Sequence, residues 1–232
     1  MKQYNISFCS ERHLTKPDKY EIGTMSGRLH SEILAWNDLS KLMAYCGCTF
    51  APAVFKDNER KKENFLRQQL FALDFDSGIT AAEVKNRADS YRLPALFSYK
   101  TFSWTPEKDK FRVVFALDRV IYDRFTAESI IGMLMLIFPE CDKACKDVSR
   151  MFLGSNNGLI KELTLGSEIN IDALDLAVYR YAEDRYGEAH YKREVNKLYD
   201  RLQIKVEKNS KIYHLDEQGY IVMNKVEIRA LD

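Results

Sequence analysis

Two aspartates separated by one residue, Asp74 and Asp76, are the side chains of this sequence best suited to metal chemistry. They follow a short apolar run, residues 70–73, which predicts a buried β-strand. Residues i and i+2 of a strand point to the same side, so both carboxylates are expected to project together. Two carboxylates this close repel each other, and a divalent cation such as Mg²⁺ or Mn²⁺ is a natural counterion. The alternative interpretation is a pair of solvated acids at the end of a strand.

A site for two metal ions needs a third carboxylate, and Asp142 is the best candidate. It follows a predicted buried helix over residues 122–138. Arg150 comes shortly after it, and a guanidinium offers a fork of donors that suits phosphate oxygens. A surface ion pair between Asp147 and Arg150 is the alternative.

A predicted hairpin lies between the two acidic segments and supplies cations. Its strands are expected over residues 95–99 and 111–117, with Lys100, Lys110 and Arg112 on or near them. Arg112 precedes an apolar run, so its charge would project from a mostly buried strand, where an unpaired charge is costly. A bound triphosphate and the acids of a metal site are both suitable partners.

The remaining pattern predicts the elements that position these groups. Residues 4–9 indicate a strand, and apolar residues at helical spacing predict a helix over residues 31–45, ended by Gly47. Thr80 and Glu83 form the signature of a capping box at the start of another helix. The run 154–158, Gly-Ser-Asn-Asn-Gly, predicts a loop with several candidates for positive φ.

Residues 56–69 are charged and polar, and they include Lys61 and Lys62. They predict a solvated loop or helix face, with a basic patch beside a nucleic-acid entrance as the alternative. Beyond residue 168 the composition changes. Residues 171–186 and 188–202 predict two amphipathic helices, and residues 212–226 predict a hairpin. We therefore expect a core over residues 1–168 and an accessory segment over residues 169–232.

The bulk composition limits the function classes. The chain has 232 residues, of which 46% are hydrophobic and 30% charged, which is typical of a packed globular protein. A net charge of +1 implies that any contact with nucleic acid is made in a local groove. The sequence contains no apolar, uncharged stretch long enough to predict a membrane span. Its five cysteines follow no regular framework, which indicates a reducing, cytoplasmic setting. The cysteines form no zinc pattern and are expected to be small buried hydrophobes.

Several segments together resemble the archaeo-eukaryotic primase superfamily, above all the primase-polymerases of plasmids, phages and integrated elements. The similarity covers about residues 45–165. Each motif is loose, and the order of the set carries the resemblance. The motifs are residues 73–78 (Leu-Asp-Phe-Asp-Ser-Gly), 101–107 (Thr-Phe-Ser-Trp-Thr-Pro-Glu), 110–115 (Lys-Phe-Arg-Val-Val-Phe), Cys141-Asp142 with Ser149-Arg150, and the loop after Gly154.

The resemblance implies an α/β (α+β) fold, in which a sheet like that of the RNA-recognition motif joins an N-terminal α/β lobe with the active site in the cleft. It implies that Asp74, Asp76 and Asp142 bind two Mg²⁺ or Mn²⁺ ions and that Arg150 holds the incoming nucleotide. The reaction would be attack of a 3′ hydroxyl on the α-phosphate of an NTP or dNTP on a single-stranded DNA template. Relatives of this type often work with a replicative helicase.

This sequence differs from the superfamily at the second motif. A serine and a histidine are usual, and this sequence offers Ser103-Trp104 or the strand of Arg112. Arg112, with Lys110, is expected to take over the triphosphate contact. Lys100 and Trp104, with Phe102, are candidates for contact with nucleic acid, because an aromatic ring stacks on bases. Core packing is the alternative role for the aromatic residues.

Two other functions fit parts of the pattern. A replication initiator or adaptor could keep the fold and bind nucleic acid without turnover, which the absent histidine favours. A phosphatase of the haloacid dehalogenase type has a similar aspartate motif, in which the first aspartate is the nucleophile. Gly78 stands where that motif usually has threonine, and about 70 residues precede the pair.

Overall fold

A computed structural model describes residues 2–187, 193, 213–215 and 221–223. The chain divides into two compact units, Met1–Ala177 and Val178–Asp232. The proposed assignment of residues 1–168 to a catalytic core and of residues 169–232 to an accessory segment stays a prediction.

The architecture is mixed α/β, as expected, with antiparallel sheets and five described helices. The strands are β1 (Gln3–Cys9), β2 (His30–Ala35), β3 (Thr49–Ala51), β4 (Ala53–Phe55), β5 (Phe65–Phe75), β6 (Phe97–Lys100), β7 (Phe111–Ile121), β8 (Tyr213–Leu215) and β9 (Ile221–Met223). The helices are α1 (Lys19–Ser26), α2 (Trp36–Tyr45), α3 (Ala81–Ser90), α4 (Arg124–Ile137) and α5 (Ile171–Tyr186).

The larger sheet has the order β4-β5-β7-β6, and every neighbouring pair is antiparallel. The chain runs β5-α3-β6-β7-α4, so β7 lies between two strands that precede it. This is the split β-α-β arrangement of ferredoxin-like and RNA-recognition-motif-like sheets, which was predicted. The fourth strand, β4, comes from the N-terminal part of the chain.

Burial explains why β5 and β7 form the centre of this sheet. The last six residues of β5 are buried, as is most of β7. Phe75 of β5 stacks on Phe111 of β7 with ring centroids 5.0 Å apart, and Phe138 after α4 packs against Phe75 and Phe115. The aromatic layer under the sheet fixes the position of the strand end that carries Asp74.

Several local predictions are confirmed. α3 begins after Thr80, whose side chain accepts a hydrogen bond from the backbone of Glu83 while the Glu83 carboxylate accepts one from Thr80. α4 lies inside the predicted range and half of its residues are buried. α5 has the predicted bounds. Gly47 follows α2 with φ of +67°.

Two predictions about elements were wrong. Residues 30–35 form β2, an edge strand paired with β1, and the helix starts only at Trp36. The apolar residues of β2 happened to match helical spacing. β5 begins at Phe65, so the last part of the predicted loop 56–69 is strand. In the loop 154–158 only Gly158 has a positive φ.

Part of the C-terminal pattern lies outside the described residues. The predicted helix 188–202 belongs there, apart from residue 193, and so does the turn of the predicted hairpin 212–226. The strands of that hairpin, β8 and β9, pair antiparallel. Among the described residues, no helix has the length and apolar character needed to span a membrane.

Two glycines allow three backbone segments of the first unit to pack directly on one another. A Cβ on Gly154 would lie 2.2 Å from the carbonyl oxygen of Cys48, and a Cβ on Gly47 would lie 1.9 Å from the carbonyl oxygen of His13. The contacts are with backbone, which cannot move aside as a side chain can. The turn after α2 is therefore in direct backbone contact with two other segments, the one around His13 and the loop after Leu153.

Replacing Gly154 with alanine is expected to destabilise the protein by about 1–3 kcal/mol or more, since the new methyl group overlaps the backbone of Cys48. Gly23, in the middle of α1, provides the matched control, because a Cβ added there would meet no atom within 4 Å. Gly23→Ala should instead stabilise the protein by about 0.5–1 kcal/mol. Denaturant unfolding of both variants measures the difference. Equal effects would contradict the close packing.

Candidate active site

The three predicted acids come together at the end of β5. Asp74 is the second-last residue of the strand, Asp76 follows it, and Asp142 precedes a short 3-10 helix, Lys143–Lys146. The backbone N–H of Asp142 donates a hydrogen bond of 2.8 Å to the carbonyl oxygen of Asp74. One carboxylate oxygen from each residue lies within 4.8 Å of the others. The chain therefore brings three carboxylates to one place from two distant segments.

Asp74 is buried and its two oxygens are held by arginines. Arg112 is its cross-strand partner on β7, and the guanidinium donates from Nε to Oδ1 at 2.9 Å and from Nη2 to Oδ2 at 3.2 Å. Arg150 donates from Nη2 to the same Oδ2 at 3.1 Å. The forked contact by Arg112 is the geometry in which a guanidinium and a carboxylate bind most strongly.

Arg112 also organises the wall beside the acids. Its Nη1 donates to the carbonyl oxygen of Leu153, which accepts a second hydrogen bond of 2.9 Å from the Tyr99 hydroxyl. Burial lowers the pKa of this guanidinium, but Tyr99 and Asp74 outweigh that effect and the pKa is raised above its ordinary value. Burial raises the pKa of Tyr99, whose hydroxyl thus stays a neutral donor. Arg112 is a fixed cation with several partners.

Asp142 and Asp76 are less enclosed than Asp74. Asp142 accepts hydrogen bonds from the backbone of Ala144 at 3.0 Å and from Arg150 at 2.8 Å. These two donors, the backbone N–H first, lower the pKa of Asp142. Asp76 is exposed and pairs with Lys110 at 2.8 Å. The alternative ion pair between Asp147 and Arg150 is not formed, because Arg150 contacts the other acids.

A cavity of about 250 Å³ adjoins the acids. Its lining combines acidic, basic, polar and apolar residues from β5, β7, α1 and the loops around them. The lining residues are Lys16, Ile22, Asp74, Asp76, Thr101, Phe102, Ser103, Arg112, Arg150, Met151, Leu153 and Gly154. A cavity that combines charged and polar groups with apolar side chains can bind a small polar molecule.

The loop after Leu153 connects two walls of this cavity. Asn156 donates from its side chain to the carbonyl oxygen of Leu14 at 2.7 Å, and Asn157 donates to that of Thr101 at 2.7 Å. Gly154 itself lines the cavity. The loop thus holds the N-terminal segment on one side and the start of the β6–β7 connection on the other.

The other predicted site residues are placed as follows. Ser103 lines the cavity. Lys100 lies over the ring of Trp104, 3.6 Å from its centroid, and the Trp104 indole donates to Asp109 at 3.1 Å. Trp104 is half-buried.

Lys61 and Lys62, which precede β5, are not among the residues that line the cavity. Lys61 pairs with Glu59 at 2.9 Å, and Lys62 lies 3.7 Å from Asp147. Four of the predicted nucleic-acid contacts, Lys61, Lys62, Lys100 and Trp104, therefore already have protein partners.

Some lining residues were not expected from the sequence, notably Lys16, Ile22 and Met151. A lone lysine in a loop and two apolar residues carry no local signal of a site. Only the packing of the N-terminal segment against the loop after Leu153 places them there.

Two of the buried cysteines, Cys141 and Cys145, are close to the acids. Cys145 accepts a hydrogen bond of 3.3 Å from the backbone N–H of Asp74. A hydrogen bond from Cys141 lowers the pKa of Cys145 and raises that of Cys141. All five cysteines are free thiols, and four of them are buried.

The three carboxylates suit a divalent cation by their chemistry. Hard oxygen donors are the ligands that Mg²⁺ and Mn²⁺ prefer, and the acids lie close enough to share an ion. Asp76 and Asp142 have accessible oxygens, whereas Asp74 is engaged by two arginines. A bound cation would have to share the Asp74 carboxylate with them.

Comparisons with known proteins give little beyond this. No protein-family model and no curated protein matches the chain. One similar solved structure is the AEP domain of the primase-polymerase of cyanophage S-2L, at 7% identity and a TM-score of 0.44. The match covers 76% of this chain and 88% of that one. A similarity of this degree carries no argument about function.

Removal of Arg112 is expected to be strongly destabilising. Arg112→Met leaves the buried Asp74 carboxylate with Arg150 alone, and breaking such a pair costs about 3–5 kcal/mol. Arg119→Met is the control, because Arg119 lies on the same strand and pairs with Asp118 while its side chain is 46% exposed. That change should cost less than about 1 kcal/mol. Denaturant unfolding compares the two, and similar losses would show that the Asp74 pair is not a special contact.

Proposed function

We propose that this protein is a metal-dependent nucleotidyltransferase of the primase-polymerase kind, which joins NTPs or dNTPs on a single-stranded DNA template. The observation that carries the proposal is the convergence of three carboxylates, two of which line a cavity together with two arginines. Carboxylates for divalent cations and guanidinium groups for phosphate oxygens are the two donor sets that nucleotidyl transfer requires.

The residues of the chain have separate tasks in this proposal. Asp76 and Asp142 supply the accessible oxygens for the cations, and Asp74 shares its carboxylate with Arg112. Arg150 contacts two of the acids and lines the cavity, so it can orient a phosphate beside them. A divalent cation bound there would lower the pKa of the attacking hydroxyl and stabilise the leaving pyrophosphate.

Charge balance supports a polyphosphate as the ligand. The carboxylates of Asp74, Asp76 and Asp142 face the cations of Lys110, Arg112 and Arg150, so the cluster has no formal net charge. A divalent cation therefore gives the site an excess of positive charge. The negative charges of a nucleoside triphosphate would neutralise that excess. Cation and nucleotide are thus expected to bind with positive coupling, each raising the affinity for the other.

The coupling can be measured directly. The Kd of a labelled non-hydrolysable triphosphate, determined by equilibrium dialysis, should fall about tenfold or more when EDTA is replaced by Mn²⁺. In Asp142→Asn this gain should be largely lost, since an amide brings no negative charge to the cation. Asp38→Asn, at an exposed position in α2, should keep the full gain. A gain of the same size in all three proteins would place the cation elsewhere.

Primer synthesis tests the reaction itself. The protein with single-stranded DNA, nucleotides and Mn²⁺ or Mg²⁺ should yield extended products. Asp76→Asn should reduce the rate by about a hundredfold or more, because Asp76 supplies accessible oxygens for the cations. Asp38→Asn again serves as the control with unchanged activity. Absence of product from the wild-type protein under all conditions would reject the enzymatic proposal.

A binding protein without turnover is the second candidate, and the arginine contacts of Asp74 favour it. Both oxygens of Asp74 are engaged, which weakens it as a metal ligand. Nucleotide or DNA binding without any product would support this candidate. The phosphatase alternative has less support, because it needs Asp74 as a nucleophile and both of its oxygens accept hydrogen bonds from guanidinium groups.

A further inference from the structure

The cations that line the cavity differ in whether they already form ion pairs within the protein. Arg112 and Arg150 both form ion pairs with the acids. Lys16 also lines the cavity, but no hydrogen bond or ion pair joins its ammonium group to any other described residue. An anion can thus bind Lys16 without breaking an existing contact, whereas the two arginines first have to give up part of one.

The backbone around Lys16 is held in place from both sides. Leu14 is fixed by the Asn156 side chain, and His13 donates its backbone N–H to the carbonyl oxygen of Cys46 at 3.2 Å. On the other side, Pro17 is buried and Asp18 caps the N-terminus of α1 with a capping box. A short segment between two fixed points keeps its lysine at the cavity wall.

Apolar side chains form part of the cavity wall to which Lys16 belongs. Ile22, Met151 and Leu153 line the cavity and also pack against the buried cluster of Cys9, Met25 and their neighbours. Among the described residues, the site thus has one cation without an ion pair, Lys16 on the N-terminal segment, and two cations that are paired with the acids, Arg112 and Arg150.

We propose that Lys16 binds the terminal phosphates of the nucleoside triphosphate, while Arg150 and the acids hold the phosphate that reacts. This proposal rests on the proposed function. It orients the bound triphosphate in the cavity, with its terminal phosphates at the N-terminal segment. Lys16 therefore distinguishes a triphosphate from a monophosphate. Its contact needs only the charge and the three donors of an ammonium group.

The test compares Lys16→Met with Lys19→Met. Both lysines are exposed and belong to the same segment, but Lys19 does not line the cavity. Dissociation constants are measured by equilibrium dialysis for a non-hydrolysable triphosphate and for the corresponding monophosphate in Mn²⁺. Lys16→Met should weaken triphosphate binding about tenfold and change monophosphate binding less than about twofold. Lys19→Met should leave both unchanged, and Lys16→Arg should restore most of the triphosphate affinity.

Three results would overturn the proposal. They are equal weakening for both nucleotides, an equal effect of Lys19→Met, and a loss seen only for a single-stranded oligonucleotide, which would assign Lys16 to the phosphates of the template. Failure of the proposed function gives a different pattern. A protein that shows the Lys16-dependent preference but makes no product would retain this inference and lose the enzymatic activity, and a protein that binds no nucleotide would lose both.

Discussion

The forked ion pair between Asp74 and Arg112 links the sheet to the chemistry of the site. The two residues are direct partners across β5 and β7, so the register of the central strands itself brings them together. A shift of either strand by one residue would turn its member of the pair to the opposite face of the sheet. The aromatic residues of the same strands, Phe75 and Phe111, stack on the other side and hold this register. Packing and charge pairing therefore specify the same alignment.

The rest of the site is assembled around that pair. Asp142 is tied to Asp74 by a backbone hydrogen bond, and Arg150 contacts both acids. Arg112 and the Tyr99 hydroxyl both donate hydrogen bonds to the carbonyl oxygen of Leu153. Each contact joins segments that are distant in the chain, and because the pair is buried, little solvent weakens it. Its removal is therefore a change to the fold as well as to the site.

Close backbone packing gives the cavity its second wall. Gly47 and Gly154 let the N-terminal segment, the turn after α2 and the loop after Leu153 approach to distances that a Cβ would prevent. Asn156 and Asn157 then fasten that loop to the segments on either side. The Gly-Ser-Asn-Asn run was recognisable in the sequence as a loop. Its use as a connector between two walls follows from what it contacts.

Local signals in the sequence were enough to specify several elements. The capping box at Thr80, the apolar helix α4, the amphipathic helix α5 and the paired strands β6 and β7 are present as predicted, because side-chain spacing and capping depend on neighbours in the chain. The edge strand β2 was predicted as helix, since its apolar residues also match helical spacing and only pairing with β1 separates the two. Asp74, Asp76 and Asp142 could be named as a set through a resemblance. Their approach to one another, their neutralisation by Lys110, Arg112 and Arg150, and the place of Lys16 at the cavity depend on the tertiary structure, because strand register and backbone packing bring together groups whose distance along the chain carries no such information.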